Sequence, residues 1–81
     1  MRIALLQLNP IVGALEANAE RLAAAVQAVR GQVDLCVTSE MALTGYPPRD
    51  LLLMPGFVAR THAVALRLAA AVAGGPDVLL G

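Results

Sequence analysis

The sequence has 81 residues, of which 58% are hydrophobic and 2% aromatic, and its six basic and six acidic residues give no net charge. This length limits the chain to one small domain, and its scattered arginines exclude the basic surface that nucleic acids and anionic membranes require. One cysteine and one histidine exclude an internal disulfide and argue against a metal site, and without a signal peptide or membrane span we expect a cytoplasmic protein.

The first half of the chain alternates between strand-like and helix-like patterns. Residues 2–9 are apolar at nearly every position, which predicts a strand covered on both faces, and residues 9–13 form a loop. Residues 14–29 predict an amphipathic helix that ends near Gly31. Its apolar face is predicted to comprise Leu15, Ala19, Leu22, Val26 and Val29. Residues 33–38 predict a second buried strand.

The second half repeats this alternation. Asp50 is expected to cap a short helical turn over residues 51–53, and Pro55 is expected in the first turn of a helix that runs to about residue 73. Residues 74–76, Gly-Gly-Pro, end that helix, and residues 78–80 begin a third strand. The order β-α-β-α-β predicts an α/β fold with a parallel sheet and right-handed crossovers. Such a sheet, ending on a bare strand, is incomplete, so we expect a fragment of a larger domain.

Glu40 is the leading candidate for a functional residue. It follows the second predicted strand and precedes a Gly-Tyr-Pro-Pro turn, and open parallel sheets bind ligands at the carboxyl ends of their strands. Enclosure by Met41, Leu43 and this turn would partly desolvate the carboxylate, as a general base requires. From its position alone, an exposed loop acid or a capping residue is an equally good interpretation.

The other reactive side chains carry weaker signals. Tyr46 either lines a ligand pocket or packs in a rigid turn. Cys36 lies inside a predicted strand, where a buried thiol is inert. His62 is expected on the surface of a helix, because no carboxylate lies at helical spacing to orient its ring. The chain contains no lysine and no Gly-rich phosphate-binding loop, so no nucleotide cofactor is expected to bind to these residues.

Three segments of the sequence resemble the N-terminal glutaminase domain of glutamine-dependent NAD⁺ synthetases, within the nitrilase or carbon–nitrogen hydrolase superfamily. The first is Gln7-Leu8-Asn9-Pro10 with Gly13, and the second is Asn18. The third and most specific runs from Glu40 through Leu-Thr-Gly-Tyr-Pro-Pro to Asp-Leu-Leu, ending at Leu52. The resemblance covers essentially residues 1–81.

The resemblance implies an αββα sandwich in which a Glu base, a Lys and a Cys nucleophile hydrolyse the side-chain amide of glutamine. Glu40 matches the general base, and Tyr46 matches a position near the glutamine pocket. The Lys and the nucleophilic Cys of the family lie beyond Gly81, and Cys36 does not match the nucleophile, so we expect the isolated residues to be inactive. Three loop positions depart from the family pattern: Ala14, Ser39 and Arg49.

The resemblance also implies partners outside this segment. In the complete synthetase the ammonia passes to a separate domain that uses ATP and Mg²⁺ to amidate deamido-NAD⁺, and the complete enzyme is expected to be a homo-oligomer. Two other interpretations stay open at this stage. One is a standalone carbon–nitrogen hydrolase that acts on another small amide or nitrile. The other is a non-catalytic α/β interaction module in which Glu40 is only a loop acid.

Overall fold

A computed structural model describes the whole chain, Met1–Gly81, and has the predicted β-α-β-α-β order. No helix in it combines the length and the apolar character that crossing a bilayer demands. Each element lies within a few residues of its predicted position. The elements are β1 (Ile3–Leu6), α1 (Leu15–Ala28), β2 (Leu35–Thr38), a short 3₁₀ helix (Arg49–Leu53), α2 (Phe57–Ala71) and β3 (Asp77–Leu79).

The three strands form one parallel sheet in the order β1-β2-β3. The register pairs Ala4 with Cys36 and Cys36 with Val78, so these three side chains form one row across the sheet. The next row, on the opposite face, is Leu5, Val37 and Leu79. Because β2 is the central strand, the residues that follow it lie at the middle of the carboxyl edge of the sheet.

Both helices cover the same face of the sheet. Cys36, at the centre of the covered row, is fully buried, and α1 and α2 contribute most of the core around it. On the other face Leu5 is 70% exposed, and Ile3 and Leu79 are also exposed. The prediction that the first strand is covered on both faces is therefore wrong for these 81 residues, because neither helix reaches the second face.

Three local predictions need correction. Asp50 does not cap the 3₁₀ helix: the capping position is Pro48, no side chain caps it, and Asp50 lies in the first turn. Pro55 lies before α2 rather than in its first turn, because Gly56, with a φ of 81°, holds the N-cap position. The buried stripe of α1 contains a polar residue, and Ala19 and Val29 lie at its partly buried margin. This stripe comprises Leu15, Asn18, Leu22 and Val26.

Candidate functional site

Glu40 lies two residues after β2, at the carboxyl edge of the sheet, as predicted. Its side chain is exposed, so the predicted enclosure by Met41, Leu43 and the following turn does not occur among these residues. Leu43 is buried and packs in the hydrophobic core. Met41 has a φ of 54°, a left-handed conformation that a non-glycine residue rarely adopts and that is often found at functional sites. The backbone therefore turns sharply directly after Glu40.

The backbone before Glu40 is held by the end of β3. The Thr38 hydroxyl accepts a hydrogen bond from the Gly81 N–H at 2.9 Å and lies 3.1 Å from the Ser39 carbonyl oxygen, to which it donates. A Cβ atom at Gly81 would overlap with that carbonyl oxygen and would lie 3.0 Å from the Glu40 Cα. Close contact between these two segments therefore needs a residue without a side chain at position 81.

The backbone after Glu40 is held by the loop between β1 and α1. The Gly13 N–H donates to the Thr44 carbonyl oxygen at 2.8 Å, and the Gly45 N–H closes the turn by donating to the Met41 carbonyl oxygen at 2.8 Å. Gly45 has a φ of 79°, and a Cβ atom there would lie 2.6 Å from the Cα of Val12. Residues 9–14, which we call the first loop, and residues 39–48, which we call the Glu40 loop, are thus in direct backbone contact.

The buried side chain of Asn18 joins these two loops to α1. Its Oδ1 atom accepts from the Ile11 N–H at 3.0 Å, and its Nδ2 atom donates to the carbonyl oxygens of Ile11 at 2.8 Å and Leu43 at 2.9 Å. Every buried side-chain nitrogen or oxygen in the structure has a hydrogen-bond partner. The Asn18 amide thus uses both of its N–H donors and its oxygen on the backbone of the two loops.

A shallow groove of about 420 Å³ lies between the Glu40 loop and α2. Its lining is mostly apolar and includes His62. The side chain of His62 is exposed, which confirms its predicted position on the surface of a helix. Tyr46 is exposed and is not part of this lining. The role of Tyr46 in substrate binding therefore stays a prediction, and the groove by itself has few groups that could orient a polar ligand.

Cys36 is structural, as predicted. It is completely buried in the middle of β2, and burial raises the pKa of its thiol because the thiolate would be desolvated. No group of three His, Cys, Asp or Glu side chains comes close enough together to hold a metal ion. Glu40 places an ionisable side chain at the carboxyl edge of the sheet, two residues after β2.

The sequence did not reveal which residues hold the Glu40 loop, namely Asn18, Thr38, Gly45 and Gly81, although Asn18 and Gly45 belong to the segments that resemble the family. The sequence could have indicated the role of Asn18, because Asn18 lies three residues after Leu15 and four residues before Leu22. It is therefore a polar residue within the apolar stripe of the helix. A polar residue at such a position must find buried partners. Thr38 and Gly81 carried no comparable signal, since their contact joins segments 43 residues apart.

Comparison with known proteins extends what the geometry shows. No protein-family model matches the chain. It is 51% identical over 81 residues to the glutamine-dependent NAD(+) synthetase of Rhodobacter capsulatus, which is 99% of this chain and 15% of that protein. It is 58% identical over 57 residues to the enzyme of that name from Synechocystis sp., which is 69% of this chain and 10% of that protein. It is 45% identical over 76 residues to the enzyme of that name from Xylella fastidiosa, which is 91% of this chain and 14% of that protein. The chain thus spans 15% or less of the length of these relatives.

Proposed function

Because this chain is a relative of one segment of the glutamine-dependent NAD(+) synthetases, we propose that it is the N-terminal part of a glutaminase domain in an enzyme of that kind. Glu40 is the general base of this domain. The observation that carries the assignment is the position of Glu40: it is an exposed carboxylate two residues after the central strand of a parallel sheet, at the edge where such sheets bind ligands.

In the proposed reaction Glu40 acts with a Cys and a Lys that lie outside these 81 residues. The Glu40 carboxylate takes the proton of the cysteine thiol, and the sulfur bonds to the side-chain amide carbon of glutamine. The C–N bond breaks, and the nitrogen leaves as ammonia with the proton that Glu40 returns. Water then attacks the thioester and Glu40 accepts its proton; the C–S bond breaks to give glutamate, and Glu40 returns that proton to the sulfur, which restores the thiol. The Lys stabilises the negative charge that develops on the amide oxygen.

The exposure of Glu40 in this segment fits an incomplete site. A general base works best when water is partly excluded, and nothing within these 81 residues covers the carboxylate. The remaining part of the domain would supply both the cover and the nucleophile. The segment alone therefore holds one reacting group, and we propose that it is inactive in isolation.

The bare face of the sheet supports the proposed αββα sandwich. Ile3, Leu5 and Leu79 are exposed on that face, and exposed apolar surface of this kind marks an interface. In the proposed domain a second sheet packs against this face, with a further layer of helices beyond it. The two helices described here form one of the outer layers.

The other proposed components bind outside this segment. We propose that ATP, Mg²⁺ and deamido-NAD⁺ bind to the synthetase part of the enzyme. Amidation of deamido-NAD⁺ by the released ammonia, homo-oligomerisation of the complete enzyme and its cytoplasmic location remain predictions.

Replacing Glu40 by Gln in the complete enzyme tests the proposal. We expect glutamine-supported NAD⁺ synthesis to fall at least about a hundredfold, because general base catalysis contributes at least this much. Synthesis supported by added ammonium salt should stay within about twofold of the wild type, because it bypasses the glutaminase site. Asp50→Asn is the matched control, since Asp50 is an exposed acid in the neighbouring 3₁₀ helix. Loss of both activities in Glu40→Gln would show that Glu40 has a structural role.

A further inference from the structure

Asn18 lies where a hydrophobic residue would be expected. Its side chain is 2% exposed, it shares the buried stripe of α1 with Leu15 and Leu22, and the proposed chemistry does not use it. Burying an amide is costly unless all of its hydrogen bonds are made. Here three bonds are made, and all of them go to loop backbone rather than to other side chains.

The partners of Asn18 explain why an amide is needed. Ile11 and Leu43 lie in loops, where no neighbouring strand pairs with their backbone groups, and each loop passes over the start of α1. One asparagine supplies an acceptor for the Ile11 N–H and donors for both carbonyl oxygens. An apolar side chain of the same size would leave the Ile11 N–H and the Leu43 carbonyl oxygen without this partner, whereas the Ile11 carbonyl oxygen would keep its bond from the Ala14 N–H. Asn18 therefore links both loops to the rigid helix.

The link lies close to the proposed base. Leu43 is three residues after Glu40, and the Gly45 N–H to Met41 carbonyl hydrogen bond closes the turn between them. A shift of Leu43 would therefore move Met41 and with it Glu40. The Gly13 N–H to Thr44 carbonyl bond and the approach of Gly45 to Val12 connect the same two loops, so the whole unit is held from one side by α1.

We propose that Asn18 is a positioning residue, which holds the Glu40 loop against α1 and thereby sets the place of the Glu40 carboxylate. This rests on the proposed function of Glu40. Misplacement of a reacting group by about 1 Å can reduce turnover about a hundredfold, so a link of this kind affects the rate without touching the substrate.

The test compares Asn18→Ala with Leu22→Ala in the complete enzyme. Both side chains are 2% exposed on the same helix, but Leu22 contacts only the apolar core. We expect Asn18→Ala to lower kcat for glutamine at least about tenfold, with KM within about threefold and ammonia-supported synthesis retained. Each variant is assayed at the same number of degrees below its own Tm, so that differences in stability do not affect the comparison. Under these conditions Leu22→Ala should lower kcat less than about threefold.

Hydrogen exchange provides a readout that does not depend on catalysis. In Asn18→Ala the amides of Gly13 and Gly45 should exchange faster, while the Cys36 amide in the sheet should not change. Asn18→Asp is the second variant if the alanine variant does not fold. The introduced carboxylate can still accept a hydrogen bond but has no N–H groups to donate. Protonation of this carboxylate at lower pH restores one donor, so the activity of the variant relative to the wild type should increase as the pH falls.

Equal loss of kcat in Asn18→Ala and Leu22→Ala would contradict the proposal, as would faster loop exchange with unchanged kcat. Failure of the proposed function has a different signature, because Glu40→Gln would then either keep glutamine-supported synthesis or lose ammonia-supported synthesis as well. In that case the exchange experiment still decides whether Asn18 holds the two loops together.

Discussion

At the scale of single residues, the site depends on backbone positions that few side chains can occupy. Gly45 combines a positive φ with close contact to Val12, whereas Gly56 has almost the same φ, 81°, and open space around its Cα. The two glycines therefore separate the cost of a left-handed backbone from the cost of a steric clash.

Gly45→Ala should destabilise the domain much more than Gly56→Ala. The left-handed conformation costs an L-residue about 1–2 kcal/mol at both positions, and only Gly45→Ala adds a Cβ within 2.6 Å of the Val12 Cα. We expect thermal unfolding of the complete enzyme to show a clearly larger decrease in Tm for Gly45→Ala. Equal decreases for the two variants would mean that the two loops are not in contact.

Cys36 should be unreactive in the folded protein. Because burial raises the pKa of its thiol, a smaller fraction of Cys36 is ionised at mildly alkaline pH than of an ordinary exposed thiol. The folded state binds this proton more tightly than the unfolded state, so the contribution of Cys36 to stability is complete below the unfolded pKa and is lost as the pH rises above it. Alkylation followed by peptide mass spectrometry should label Cys36 only in denaturant. Rapid labelling of the native protein at pH 8.5 would contradict its burial.

At the scale of elements, α2 is fixed to the core through its first residue. Phe57 is 1% exposed and is the only phenylalanine in the chain, and its neighbour Val58 is 61% exposed. Arg60 lies over the Phe57 ring, 5.8 Å from its centre, and shields it from solvent. The start of α2 also borders the groove beside the Glu40 loop.

Phe57→Ala should destabilise the domain by about 3–5 kcal/mol, because it removes a large buried side chain and leaves a cavity. Val58→Ala, at the adjacent and exposed position, should change the stability by less than about 0.5 kcal/mol. Denaturant titration of the complete enzyme, followed by hydrogen exchange of α2 amides, measures both effects. Similar values for the two variants would show that α2 does not pack through Phe57.

The order of the elements could be predicted from the sequence, and the boundaries were correct to within a few residues, because apolar periodicity reports directly on strands and helices. The coverage of the sheet could not be predicted in the same way. A strand such as β1, apolar on both sides, looks identical whether its second face is covered by a helix or left for another part of the domain. Contacts that join distant segments, such as Thr38 with Gly81, leave no local pattern.

At the scale of the whole molecule, the 81 residues form one layer of helices packed on one layer of sheet. The helices cover one face of the sheet, and the opposite face exposes Leu5 and Leu79 in one row of side chains and Ile3 in the next. A small domain with such a face buries too little apolar surface to be robustly stable on its own. The interpretation as an independent interaction module therefore has less support than the interpretation as a part of a larger domain.

The isolated 81-residue chain should self-associate through this face. Size-exclusion chromatography with light scattering should show oligomers or aggregates, and a Leu5→Lys and Leu79→Lys double variant should be mainly monomeric, because charges on the face oppose its pairing. As a matched control, Leu53→Lys and Leu66→Lys change two exposed leucines away from the sheet and should leave the association unchanged. A monomeric, cooperatively folded wild-type chain would instead favour an independent module.

The most direct test of Glu40 as the base of a glutaminase site is the ratio of glutamine-supported to ammonia-supported NAD⁺ synthesis in the complete enzyme with Glu40→Gln. We expect this ratio to fall at least about a hundredfold relative to the wild type, with ammonia-supported synthesis nearly unchanged. An unchanged ratio, whether both activities persist or both are lost, would contradict the assignment.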